Sequence, residues 1–250
     1  MSNLQREKEI MKLLKETTYA TVEHLSQKLF TSPSSIRRDL TDLENRGLVK
    51  RTHGGASLLS AKPGMAPFSI RIQENKREKM TIVKTASKLI KHEATIFIDS
   101  SSTTFNLGTF LTSDMDLTVF TNNIGLAHFL ASKHVRTYCI GGLISDCNNV
   151  ITIGPFAAEM LNNIYVDMFF FASAALSKAG IITDTNENET AIRKIMLSHS
   201  SEKVFLCPYN RFDSIAPYKV TSISNLNYII SEKELPESFM NKFSNITYLY

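Results

Sequence analysis

Apolar and polar positions follow two different periods in two regions of the chain. In "REKEIMKLLKE", Ile10, Leu13 and Leu14 recur at i, i+3 and i+4 among charges, the pattern of an amphipathic helix. "VEHLSQKLF" puts Val22, Leu25 and Leu29 on one face, with Thr21 ahead of it as a cap. In "TSPSSIRRDLTDLENRGL" the stripe is Ile36, Leu40 and Leu43; Ser32 is placed to cap, Pro33 takes the first helical position and Gly47 ends the helix. "LVKRTHGGASLL" then reads as two short strands around His53, Gly54 and Gly55. Three helices and a basic hairpin predict a winged helix-turn-helix over residues 1–58.

Residues 59–75 carry Pro and Gly without periodicity and read as a linker. From residue 76 to 250 short apolar runs alternate with helical patterns. Helices are expected at about 76–91, 104–112, 123–132, 155–163, 188–200 and 234–242. The strands expected between them are "ATIFID", "LTVFT", "RTYCI", "VDMFFFA", "KVFLC", "NYIIS" and "ITYLY". Such alternation predicts an α/β fold with a doubly wound, largely parallel sheet.

Charge sharpens this division. Of 28 Lys+Arg and 24 Asp+Glu, residues 1–62 hold 11 and 7, so the remainder hold 17 and 17. The whole basic excess lies in the winged-helix region, the distribution of a nucleic-acid-binding head on a neutral body. The buried stripe of the third helix leaves Ser34, Ser35, Arg37, Arg38 and Thr41 outward, residue types that bond guanine edges and phosphate oxygens. Thr21 and Ser32 at the helix starts, with Lys50, Arg51, His53 and Gly54 of the wing, complete the candidate DNA-binding set. Two or more heads are needed to read a useful operator, which predicts a homo-oligomer.

No apolar run reaches membrane-spanning length, and "MSNLQREKEIMK" is too charged for a signal peptide, so a cytoplasmic chain is expected. Cys139, Cys147 and Cys207 show neither metal-ligand spacing nor a disulfide framework and read as buried free thiols; no metal or cofactor is expected.

In sheets of this kind, ligands bind beyond the carboxyl ends of the strands. The positions there are Asp99, Ser100, Ser101, Ser102, Thr103 and Thr104; Thr121 and Asn122; Gly141 and Gly142; and the turn "PYNRF" with Arg211. Hydroxyls, amides, glycine backbone and one cation suit a polar anion such as a sugar phosphate.

"SSIRRDLTDLENRGLVKRTHGGA" resembles the N-terminal signature of DeoR-type bacterial transcriptional regulators. Ser35 to Leu40 and Arg51 to Ala56 match it residue by residue. Within the body "FIDSSSTT", "FTNN", "IGGLI" and "ETAIRKIM" resemble motifs of the same family's sensor domain, as do Arg71, Lys79 and Ile82. The resemblance implies a fold shared with ribose-5-phosphate isomerase and CoA transferases, and a repressor of carbohydrate metabolism released by a phosphorylated sugar. It adds Glu189 to the effector-site candidates. Ser101 stands where the family has Gly, and Pro208, Asn210 and Arg211 stand where it has Asp, Ser and Lys.

Two other readings remain open at this point. One is a sugar-phosphate isomerase-like enzyme with Asp99 or Glu189 as general base, which the DNA-binding head disfavours. The other is a DNA-binding regulator whose pocket has degenerated at Ser101, Pro208 and Arg211.

Overall fold

The computed structural model describes residues 3–17, 19–52, 54–58, 68–146 and 148–250. His53, Cys147 and the stretch 59–67 lie outside these described residues. The chain divides into two compact units, Met1–Pro67 and Phe68–Tyr250.

The first unit runs α1 (Asn3–Thr17), β1 (Tyr19–Thr21), α2 (Val22–Lys28), α3 (Pro33–Asn45), β2 (Val49–Thr52) and β3 (Gly55–Leu58). Ile10, Met11, Leu14, Leu25, Ile36, Leu40 and Leu43 are buried at its centre. Leu13 and Leu29 are only half-buried, so Met11 takes the core position expected of Leu13. Thr21 accepts the His24 N–H at 3.0 Å, and Ser32 accepts the Ser35 N–H at 3.3 Å, so both caps form as the sequence implies. The sequence pattern missed β1, which joins the wing as a third strand in the order β1-β3-β2. Gly55 makes that possible: a Cβ there would lie 2.4 Å from the Ala20 carbonyl oxygen.

Two ion pairs, each with a buried carboxylate, fasten this unit. Asp39, almost wholly buried on α3, takes Arg6 of α1 in two hydrogen bonds, one at 2.9 Å from Nη2. Glu7 pairs with Arg46. These contacts tie α3 and its C-terminal end to α1.

The second unit contains α4 (Phe68–Gln73), α5 (Lys76–Ser87), β4 (Thr95–Ile98), β5 (Thr118–Thr121), α6 (Ile124–Ser132), β6 (Arg136–Cys139), β7 (Leu143–Ser145), β8 (Asn148–Ile153) and α7 (Pro155–Leu161). It continues through β9 (Val166–Phe171), β10 (Ala175–Leu176), β11 (Ile181–Asp184), α8 (Glu187–Ser198), β12 (Ser200–Leu206), β13 (Tyr218–Ser222), β14 (Tyr228–Ile230), α9 (Glu237–Lys242) and β15 (Thr247–Leu249). A seven-stranded sheet in the order β15-β14-β12-β9-β4-β5-β6, parallel throughout, forms its spine. Period-two alternation sends Ile96, Ile98, Val119, Met168 and Phe170 to the face under α5 and α6. Phe97, Phe169, Phe171 and Phe205 go to the opposite face, in the cluster that also holds Ala157 of α7 and Ile192 of α8.

Four expectations need correction. The segment 59–75 is not all linker: Phe68–Gln73 is helical, and buried Phe68 packs edge-on against Phe105 at 5.6 Å, so the second unit starts eight residues before position 76. The helix expected at 104–112 is a 3-10 segment, Thr104–Phe110, because the Thr104 and Thr109 hydroxyls bond nearby carbonyls in place of a regular helical ladder. Cys139 is exposed because β6 is an edge strand; Cys207 alone of the described cysteines is buried. Two small antiparallel sheets, β7-β8 and β10-β11-β13, were not expected, because strands of two to six residues with mixed polarity leave little periodic signal.

Candidate functional sites: a basic helix and a buried polar turn

Helix α3 holds its apolar stripe inward, so Ser34, Arg37 and Arg38 are exposed and Ser35 is half-buried. Lys50 and Arg51 of β2 are exposed as well. Arg51 leans onto α3: its Nη1 donates to the Thr41 Oγ at 2.8 Å, and its backbone N–H donates to Glu44 at 2.8 Å. The Val22 N–H bonds the Gly54 carbonyl at 2.8 Å, tying the hairpin turn to the start of α2. This unit therefore offers an exposed helix start with two outward guanidinium groups and a basic strand beside it.

In the sensor unit the chain runs β4, β5, β6 to one side and then returns across β4 to β9, so the sheet reverses direction between β4 and β9. Asp99 follows β4 at that switch point, where doubly wound sheets open a crevice. All six residues from Asp99 to Thr104 are buried, although all are polar. Their hydrogen bonds explain how. Asp99 Oδ1 accepts from the Ser101 N–H at 3.0 Å and the Thr104 hydroxyl at 2.7 Å. Its Oδ2 accepts from Arg193 Nε at 2.8 Å and from the Ala172 N–H at 3.4 Å.

Arg193 is the hub of this region, and sequence reasoning did not single it out as a site residue. Its Nη1 reaches Asp184 at 3.0 Å and its Nη2 reaches Glu189 at 3.3 Å, so one buried guanidinium serves three carboxylates. Burial disfavours its charge, yet Asp184, Asp99 and Glu189 more than offset that and hold it firmly protonated. Asp184, despite burial, is held below the usual carboxylate range by Arg193 and by hydrogen bonds from Ser173, Thr185 and Asn186. Glu189 is pushed up, chiefly by burial, although Arg193 opposes the rise. Ser100 adds a hydroxyl to Glu189 at 3.4 Å. The signal that could have found Arg193 was a cation at i+4 from Glu189 on the helix "ETAIRKIM".

Cations gather beside the same turn. Lys79, buried on α5, donates to the Ser102 Oγ at 3.0 Å and also bonds the carbonyl of Arg71 on α4. Its pKa is lowered to about 8, mainly by burial and further by the charges of Arg71 and Arg211. Burial likewise lowers Arg71, and Arg211 contributes to that shift. Arg211 is exposed at the turn after β12, and its charge acts on Lys79 and Arg71.

The remaining predicted positions fall at the same end of the sheet. Thr121 closes β5 and accepts the Asn123 N–H at 3.1 Å. Asn122 is buried and donates to the Thr152 carbonyl at 3.1 Å, while its Oδ1 receives no hydrogen bond from the described residues. Gly141 and Gly142 follow β6; Gly142 has φ 141°, and a Cβ there would lie 2.6 Å from the Ile153 carbonyl oxygen. Thr103 is buried, and Ser101 Oγ accepts the Thr104 N–H at 3.1 Å, so the serine in the glycine position caps the turn internally.

A winged helix with an outward basic helix and an α/β unit with a buried polar turn beside cations together define a transcriptional regulator of the DNA-binding, effector-sensing class. The comparisons agree: residues 6–62 match the DeoR-like helix-turn-helix domain and residues 74–233 match the DeoR C terminal sensor domain. The chain belongs to the DeoR family. It is 30% identical over 246 residues, 98% of its length and 96% of the relative's, to the HTH-type transcriptional regulator GolR of Listeria innocua. Similarity to the L-fucose operon activator of Haemophilus influenzae is 29%, covering 93% of each chain. The glycerol-3-phosphate regulon repressor of Escherichia coli is 26% identical over 96% of this chain and 95% of its own. Among the described residues no helix is long and apolar enough to cross a membrane.

Proposed function

We propose that this cytoplasmic chain represses a carbohydrate-metabolism operon and is released from its operator by a phosphorylated sugar bound at the 99–104 turn. The observation that carries the effector half is Lys79 bonded to Ser102 of a buried hydroxyl-rich turn, with Arg71 and Arg211 near enough for their charges to act on it. An anion of two negative charges relieves the mutual repulsion of those cations. The unpaired Asn122 Oδ1 offers an acceptor for a ligand hydroxyl. Asp99 plays a different part from the one its position suggests. With both oxygens occupied by Arg193, Thr104 and backbone N–H groups, it shapes the turn and is poorly placed to act as a base. Glu189 is likewise engaged by Arg193 and Ser100. That engagement speaks against turnover and for sensing, as does the company of regulators similar along nearly the whole chain. Repression is the sign we favour over activation, and the fucose operon activator among the relatives is the reason to test it.

The head is tested by Arg38→Ala, which should lower specific affinity for the DNA upstream of its own gene by roughly 10–100-fold while leaving the melting temperature unchanged. Wild-type affinity in that variant removes α3 as the reading helix. For the body, a panel of pentose, hexose and triose phosphates is titrated against the DNA complex. Failure of every member both to raise the melting temperature and to release DNA leaves the degenerate-pocket reading in its place.

A further inference from the structure

The turn between α2 and α3 holds an exposed aromatic ring on a backbone that disfavours it. Helix α2 closes in a Schellman arrangement: the Thr31 N–H donates to the Ser26 carbonyl at 3.1 Å, and the Phe30 N–H donates to the Gln27 carbonyl at 3.4 Å. Thr31 Oγ1 donates to the Leu29 carbonyl at 3.0 Å, and the Ser26 hydroxyl donates to the Thr31 carbonyl, so side chains brace the same turn. Such a closure needs a left-handed residue at position 30, where Gly or Asn is the usual occupant. Phe30 takes it at φ 49°.

The other described non-glycine residues with positive φ are Asn75, Glu93, Asp116, His134 and Asp213, all of them polar. Phe30 differs from them in kind, and burial gives nothing back: its side chain is 97% exposed, more than any other large apolar residue described. The ring therefore costs the fold twice, in backbone strain and in wetted apolar surface, with no packing inside the chain to offset either.

Phe30 stands two residues before Ser32, the cap of α3, so the two Cα atoms are within about 7 Å of each other. Its chain neighbours Gln27, Lys28, Ser32 and Ser34 are exposed and polar, and Arg37 and Arg38 follow on the exposed side of α3. A protein partner is met by a cluster of apolar side chains, which this segment lacks. A single ring among hydroxyls and cations suits a polyanion that displays isolated methyl groups. Duplex DNA is such a polyanion, because each thymine carries its C5 methyl in the major groove.

We infer that Phe30 packs on a thymine methyl group of the operator beside the bases met by α3, and is a specificity-determining residue of the head. This rests on the reading of α3 as the helix that enters the major groove. The strained turn serves the contact: its backbone groups are spent on one another, so the ring is presented on a braced support and little freedom is lost when it meets the base.

The full chain is titrated against three duplexes: the DNA upstream of its own gene, the same sequence with deoxyuridine replacing thymidine, and unrelated DNA of equal length. Deoxyuridine removes the methyl groups and keeps the base pairing. The wild type should bind the deoxyuridine duplex about 5–10-fold more weakly than the thymidine one. Phe30→Asn should lose about as much on the thymidine duplex, discriminate between the two duplexes correspondingly less, and bind unrelated DNA as the wild type does. The same variant should raise the thermal transition of the winged helix by roughly 2–5 °C, since Asn accepts the left-handed conformation, so the lost affinity does not come from lost folding. A wild type indifferent to deoxyuridine, a Phe30→Asn variant with wild-type affinity, or a loss of equal fold on both duplexes overturns the inference. Where Arg38→Ala loses the upstream duplex and Phe30→Asn does not, only this inference falls; a wild type that holds that duplex no better than unrelated DNA removes the regulator reading and this contact together.

Discussion

In the sensor unit Arg193 is buried and spends its guanidinium on Asp99, Asp184 and Glu189, whereas in the winged helix Arg37 and Arg38 stand exposed at the start of α3. The side chain is the same and the consequence is opposite. A guanidinium removed from water is kept only if its donors are matched, and once matched it holds its neighbours in place and has nothing left for a ligand. An exposed guanidinium contributes little to the fold and keeps its planar fork for a base edge or phosphate. The cations around Ser102 are intermediate. Lys79 is buried and donates to a hydroxyl and a carbonyl, with Glu74 the acidic charge that acts on it.

The contrast breaks first at Arg193. Arg193→Ala leaves three buried carboxylates without their cation and should cost about 3–5 kcal/mol, read by urea unfolding of the full chain. A cost under ~1 kcal/mol, the level of a surface ion pair, would show that the network is not what closes the pocket. Arg38→Ala should do the reverse, with a large loss on DNA and none in stability.

Lys79 gives the next largest effect, through pH. Its folded pKa near 8 lies below the ordinary 10.5. The penalty for burying its charge is therefore present at neutral pH and fades as pH rises through about 8 toward 10.5, so this group makes stability rise over that window. Anion binding runs the other way, because the cation disappears. Affinity for a sugar phosphate should fall several-fold from roughly pH 7 to pH 9, and Lys79→Arg should flatten that fall. A wild-type titration that stays level would exclude Lys79 from the anion's contacts.

The smallest effect is local. Ser32→Ala removes the acceptor of the Ser35 N–H and should cost ~1 kcal/mol, seen as a modest drop in the winged helix's thermal stability. No measurable change would mean that α3 is held by Asp39 and Arg6 alone.

The winged helix was legible almost entirely from its residues. Its helices are short-range objects, and Ser32, Pro33, Ile36, Leu40 and Gly47 act within one element. The exception was β1, three residues whose pairing with β3 depends on a strand more than thirty positions away. In the sensor unit, period-two apolar runs announced the parallel sheet, and the rule that ligands gather at carboxyl ends pointed to Asp99, Thr121, Gly141 and Arg211. What tertiary structure alone decided was how those groups are spent. Asp99 and Arg193 are 94 positions apart, and no spacing rule connects residues brought together by a sheet that reverses at β4. The run "RTYCI" could announce a strand, but only the strand order put it at an edge. Local preferences act through neighbours in the chain and are therefore written in it; charge pairing, edge exposure and pocket occupancy act through neighbours in space, which exist only once the sheet has closed.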